Sequence, residues 1–290
     1  MTRFLWLGLA LCAVPAAAVG LRTYGSSRWA ASIRALTRRL DTARLADEVR
    51  PPPLRVDMGE LNGLPAPVQR YFRAALTEGQ PFVTTVMIDM AGTFNLSARA
   101  EHWKPFTSRQ RVVTRRPGFL WDAQVSMFPG VVVRVVDSYI AGSGLLRAAI
   151  LGMITVAKIS GDGEIARGEF MRFFAEAAWY PTALLPSQGV RWEAIDDHSA
   201  TASIADGPLT LTLLFRFNGA GLIESVRADA RGSTMGGTVV MMPWECWLSD
   251  YEVRDGMTVP IAGEAAWLGP AGRKPYFRGT IRSLQYEFGP

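Results

Sequence analysis

The sequence predicts a mainly β (α+β) fold: a large curved antiparallel sheet or open half-barrel of about ten strands wrapped on a central helix, with an N-terminal hydrophobic helix ahead of it. Three observations carry this. Apolar and polar residues alternate with a period of two in many short runs. Hairpin chemistry joins those runs, as at Asn218-Gly219-Ala220-Gly221 and Asp255-Gly256. Only one long stretch of the body, 164–186, has helical periodicity, so the crossover helices that a parallel sheet needs are missing.

Residues 4–20, FLWLGLALCAVPAAAVG, are 17 residues without a charge. That is the short limit for a membrane span. Ala16-Ala17-Ala18, with Pro15 just ahead, offers a small-x-small cleavage site. Residues 1–22 therefore read as a signal peptide or a membrane anchor. Cys12 is a poor lipid attachment site, because Leu11 precedes it. Arg22, Arg28, Arg34, Arg38 and Arg39 follow the apolar run and favour a cytoplasmic body. The short basic start at Arg3 and the alanine run favour export. The balance points to a membrane-associated protein of the cell envelope, with the cytoplasmic face of the inner membrane as the alternative.

Residues 28–50 have an amphipathic pattern, with Trp29, Ile33, Leu36 and Leu40 on one stripe and arginines elsewhere. Such a helix lies on anionic headgroups or serves as a spacer. Pro51-Pro52-Pro53 stiffens the chain and separates 23–53 from a single β-rich domain, 54–290. A short helix is expected over 64–76. Strands follow around Phe94, from Phe119 to Met127 and over 131–139. Others cover 190–195, 200–205, 209–217, Val226–Ala230, 247–254, 257–267 and about 275–287. The apolar run 144–159 is expected to be a short helix leading into the central one.

In the central stretch, Phe170, Phe173, Phe174 and Ala177 recur at helical spacing, and Asp162 is the expected N-cap. Glu169, Arg172 and Glu176 share another face. Seven helical residues span about 10 Å, a separation that suits two carboxyls acting on opposite sides of a bond. The competing reading is a solvated charged face.

The block GEFMRFFAEAAWYPTALLPSQGVRWEAID, with LPAPVQRYFRAAL at 64–76 and VVDSYIAGSG at 135–144, resembles the signature of a family of uncharacterised bacterial proteins that share a domain of unknown function. The resemblance covers roughly residues 60–288. It implies a single domain behind an N-terminal hydrophobic segment and implies no activity. The expected architecture also resembles the half-barrels of envelope lipoprotein carriers, as an analogy of shape.

Composition excludes several classes. The net charge of +5 is concentrated after the apolar run, so nucleic acid is not an expected partner. Two cysteines exclude a disulfide framework, and two histidines are too few for most zinc sites. No metal and no cofactor are expected. Asp196-Asp197-His198-Ser199 sits between two strands and reads as a turn. Gly142/Gly144 and Gly161/Gly163 lack the third glycine and the βαβ setting of a dinucleotide site.

Three functions remain. The first is a non-enzymatic protein that binds an apolar, lipid-like ligand between sheet and helix, with Phe173, Trp179, Tyr180, Trp192 and Trp244 lining the pocket. The second is a hydrolase-like enzyme using Glu169 and Glu176, or Asp196, as acid and base. The third is a scaffold that docks a partner on an exposed sheet face.

Overall fold

The computed structural model describes residues 2–45, 55–97, 101–235 and 238–289. Thirteen strands form one sheet. They are β1 (Val83–Asn95), β2 (Trp103–Val113), β3 (Gly118–Phe128), β4 (Val131–Ile140), β5 (Ser143–Ile150), β6 (Ile154–Gly161) and β7 (Arg191–Asp196). Then come β8 (Ser199–Asp206), β9 (Leu209–Phe217), β10 (Ile223–Met235), β11 (Thr238–Arg254), β12 (Met257–Gly269) and β13 (Gly272–Phe288). The helices are α1 (Thr2–Leu45), α2 (Ala66–Ala75) and α3 (Glu164–Ala175).

The strand order is β6-β5-β4-β3-β2-β1-β13-β12-β11-β10-β9-β8-β7. Every pair is antiparallel, and only β1 and β13 pair out of sequence. The chain thus meanders out to one edge at β6 and resumes at the opposite edge with β7. The segment between them has to cross the open face. That segment is α3 and the 3-10 turns Glu176–Trp179, Pro181–Leu184 and Pro186–Gln188. Asp255 and Gly256, both at positive φ (48° and 80°), make the tight β11–β12 hairpin that the dipeptide predicts.

The helix buries its phenylalanines as the spacing requires. Phe170 stacks on Tyr139 at 4.8 Å, and Phe174 meets Phe215 edge-on at 5.5 Å. Gly144 lets α3 lie directly on β5, since a Cβ there would stand 2.6 Å from the Ala166 backbone nitrogen. The N-cap of α3 is Gly163, with no side-chain cap bond, so Asp162 does not take the role expected of it. The α-helix ends at Ala175 and tightens into the 3-10 turn that carries Trp179.

Four expectations are corrected. The strands number thirteen, because three escape the alternation rule. The inner face of β2 presents Ser108 and Gln110 among its buried positions, which breaks the apolar pattern. The expected helix over 144–159 is instead the β5–β6 hairpin. Its strands are apolar at most positions without a clean alternation, and periodicity alone does not separate such runs from helix.

The expected membrane-spanning helix is not supported: among the described residues no helix is long and apolar enough to cross a membrane. Finally, the stripe of α1 lies on neither headgroups nor solvent. It covers the back of the sheet, where Trp29 and Leu40 pack with Val113, Leu120, Val136, Ile140 and Ala149. The Trp29 indole donates to Asp122 Oδ1 at 2.7 Å, and the Arg147 guanidinium lies 4.5 Å from its ring centre.

Trp29→Ala should therefore destabilise the protein by roughly 3 kcal/mol, with the loss read from the denaturant midpoint. An unchanged midpoint would show that α1 contributes nothing to the body.

Candidate functional site

A cavity of about 580 Å³ lies between α3 and the hollow face of the sheet. Its wall is mostly apolar. Phe94, Trp121, Val125 and Val135 come from β1, β3 and β4, and Trp244, Leu248, Trp267 and Phe277 come from β11, β12 and β13. Trp244 donates to the Tyr276 hydroxyl at 3.0 Å, and Trp267 stacks on that ring at 5.8 Å.

One side of the wall is charged. Asp137 of β4, Glu169, Arg172 and Glu176 of the helical segment, and Arg231 of β10 all face the cavity. Arg172 is the hub. It reaches Glu176 Oε1 at 2.7 Å, Asp137 Oδ2 at 3.0 Å and Gln110 Oε1 at 3.2 Å. Gln110 completes the ring by donating to Glu176 Oε2 at 2.6 Å. The guanidinium also lies 4.8 Å from the Trp121 ring centre and 5.0 Å from that of Phe119. Burial works against the charge of Arg172, but the surrounding carboxylates outweigh it and raise its pKa.

Two carboxyls are left incomplete. Asp137 Oδ1 and Glu169 Oε2 are buried without a hydrogen-bond partner among the described residues. Burial pushes Asp137 up to about 6, against the pull of Arg172 and Arg231. Burial, reinforced by the charge of Asp137, pushes Glu169 up to about 8. Glu169 therefore holds its proton at neutral pH. Arg231 lies over the Trp244 ring at 4.6 Å and within 6.0 Å of Trp267. Its charge acts on both Asp137 and Glu169. The Trp179 indole nitrogen is likewise buried without an acceptor.

Of the residues that the sequence points to, Trp179, Trp244, Glu169 and Glu176 line this cavity. Phe173, Tyr180 and Trp192 lie elsewhere. The Tyr180 hydroxyl donates to the Phe173 carbonyl at 2.6 Å, and Phe173 borders a second hollow of about 440 Å³ beside Arg115, Arg116 and Asp206. Trp192 packs on Phe215 and Phe72 and donates to the Leu184 carbonyl at 3.0 Å. The Glu169/Arg172/Glu176 face is buried under the sheet rather than solvated. Glu176 has both oxygens engaged, while Glu169 Oε2 has no partner among the described residues, so the two are not equivalent. Asp196 is exposed in the β7–β8 turn and accepts the His198 backbone N–H at 2.8 Å.

Asp137, Arg231, Trp121 and Trp267 escape a reading of the sequence as site residues. Asp137 had a signal, being the one acidic residue inside the apolar strand VVVRVVDSYI. Arg231 had none. Among the described residues, no group of three or more His, Cys, Asp or Glu is placed to hold a metal ion.

This fold and this buried charged wall belong to a chain of a defined class. The chain is a member of a family of unknown function, DUF6920, which matches residues 62–286. No curated protein matches the sequence. Among solved structures, a LolA-superfamily protein from Nitrosomonas europaea aligns at 9% identity and a TM-score of 0.39, covering 76% of this chain and 93% of the other. A β-barrel-like protein of another domain of unknown function, DUF1849, from Brucella abortus aligns at 10% identity and a TM-score of 0.28, covering 71% and 98%. Neither likeness adds to what the geometry of the site itself carries.

The pKa of Glu169 has a measurable consequence. An ordinary Glu titrates near 4.5, whereas folded Glu169 is pushed up to about 8. Between those values the folded chain holds a proton that the unfolded chain has released, so stability falls as pH rises through the window. Asp137 shares the window, mostly its lower part, and Glu169 carries more of the upper range. Asp137, Glu176, Arg172 and Arg231 are the charges that face it. Glu169→Gln should flatten melting temperature against pH over that upper range. An undiminished slope in the variant would assign the effect elsewhere.

Proposed function

We propose that this chain binds an apolar, lipid-like ligand in the cavity between the curved sheet and α3, at the cell envelope. One observation supports it above the others: an apolar chamber of about 580 Å³ whose wall carries unmatched polar groups. The volume lies within the range of ligand sites, about 300–1,000 Å³. Leaving a buried polar group unpaired costs about 1–3 kcal/mol. The Trp179 indole and Arg231 offer donors, Asp137 Oδ1 offers an acceptor, and protonated Glu169 offers both. A ligand with a long apolar part and a polar head that gives and takes hydrogen bonds would satisfy them. Trp244 and Trp179 serve as ligand-binding residues in this reading. The uncharged stretch 4–20 and the alanine run within it support the envelope location, and 54–290 is the ligand-binding domain.

A second reading is an acid–base enzyme with Glu169 as the proton donor. The raised proton affinity of Glu169 favours it. Glu176, tied by Arg172 and Gln110, is a poor second catalyst.

Native mass spectrometry of the full chain, followed by organic extraction, tests the binding reading. A stoichiometric apolar molecule should accompany the protein. Ala265→Phe, which fills the cavity from β12, should release it at a cost in stability of about 1–3 kcal/mol and with the fold kept. A clean apo mass with an empty extract would refute the binding reading.

A further inference from the structure

The cavity mouth and the exposed apolar side chains of the sheet lie at the same end of the molecule. In this meander the β1–β2, β3–β4 and β5–β6 turns fall at one end of the sheet. Because β13 runs antiparallel to β1, with Phe94 opposite Phe277, the β12–β13 and β10–β11 turns fall there too. Leu96 and Val239 flank two of these turns. Both line the cavity, and both are about half exposed, at 51% and 49%. Leu96 opens the cavity toward this end, while Val239 lies with Gly232 beside Glu164 at the start of α3.

The same end exposes Phe128, Ile154 and Val156. Phe128 and Ile154 are 67% and 63% exposed, each at the tip of a hairpin. A large aromatic and a β-branched residue at hairpin tips are not what turn geometry asks for. Helix α1 leaves the body at this end as well. Its Gly25 is pressed against Leu151 and Met153 of the β5–β6 turn, while its Leu40 lies against Gly118 near the opposite end. Val19, Leu21 and Tyr24 of α1 are exposed beyond that seat.

Positive charge accompanies the apolar rim. Lys104 stands 5.2 Å from the Phe128 ring centre, and Arg134 lies beside Gly152 in the β5–β6 turn. Arg28 lies over the ring of Tyr24 at 5.9 Å. On this rim Glu245 and Glu264 are already paired with Arg273. Apolar side chains at loop tips with basic groups beside them fit a bilayer interface that carries anionic headgroups. A soluble ligand would need no such collar at the mouth.

We propose that the mouth end of the sheet docks on an anionic lipid surface, with Phe128 and Ile154 entering the interface. This inference stands on the rim and does not depend on what the cavity holds.

Co-flotation of the full chain with phosphatidylcholine vesicles, with and without phosphatidylglycerol, tests it. Binding should require the anionic lipid and should weaken with salt. The double variant Phe128→Glu/Ile154→Glu should lower partitioning more than about tenfold. Val253→Glu, a 70% exposed site next to the β11–β12 turn at the opposite end, should leave it unchanged. All three proteins carry the same N-terminal stretch, so differences among them report the rim. The proposal fails if the wild type does not float, if it floats equally without phosphatidylglycerol, or if the rim variant floats as the wild type does. It also fails if Val253→Glu weakens binding as much as the rim pair.

Discussion

The interior depends on a single crossing. The meander places the two sheet edges, β6 and β7, at opposite extremes of thirteen strands, and one segment must join them over the open face. A sheet of this size has to bury that face. Among the described residues the helical segment from Glu164 to Gln188, helped by α2 at one side, is what covers it. A single helix is about 10 Å wide with its side chains, far narrower than the sheet it crosses. Where its phenylalanines reach β4 and β9, the interior is filled. Where the α-helix ends at Ala175 and the chain tightens, the concavity toward β11, β12 and β13 stays open. The cavity follows from covering a wide curved face with one narrow element.

The charged wall follows from the same crossing. The helix carries Arg172 across from β2 and β4, so its guanidinium meets Gln110 and Asp137 in a place where water is scarce. Two carboxylates share that one arginine, and Arg231 approaches from the other half of the sheet. Buried ion pairs of this kind rarely add stability over an apolar core of the same volume. Leaving Asp137 Oδ1, Glu169 Oε2 and the Trp179 indole unmatched adds further cost. The fold departs from local consistency at this wall and nowhere else in its core as densely, and such departures are where binding chemistry is placed.

Much of the architecture was legible in the sequence. The alternation in β9, the Asp255-Gly256 turn and the helical stripe of Phe170, Phe173 and Phe174 each pointed to the structure they form. What was hidden had a physical reason. Ser108 and Gln110 disguised β2, because a strand that feeds a polar cluster cannot show an apolar inner face. The hairpin over 143–161 was hidden because strands with apolar residues on both faces carry no period. The stripe of α1 was visible, but its partner was not, since periodicity identifies a face without naming what covers it. At the site, Trp179 and Trp244 were found from composition, while Phe173, Tyr180 and Trp192 point to other neighbours. Arg231 sits in an ordinary strand sequence. Only the meeting of β10 with α3 in space gives it a role.

The tryptophans show why composition alone could not separate a full core from a hollow one. Trp192 and Trp244 are both buried and both satisfy their indole nitrogens, one on the Leu184 carbonyl and one on the Tyr276 hydroxyl. They differ in what faces the ring. Trp192 is enclosed by Phe72, Phe215 and Phe217 on the side that α2 covers. Trp244 has Arg231 over it and the cavity beyond. The same residue type fills space where two helical elements meet the sheet and borders space where only one does. Coverage of the sheet, a property of topology rather than of the residue, decides which of its aromatics pack and which remain open to a ligand.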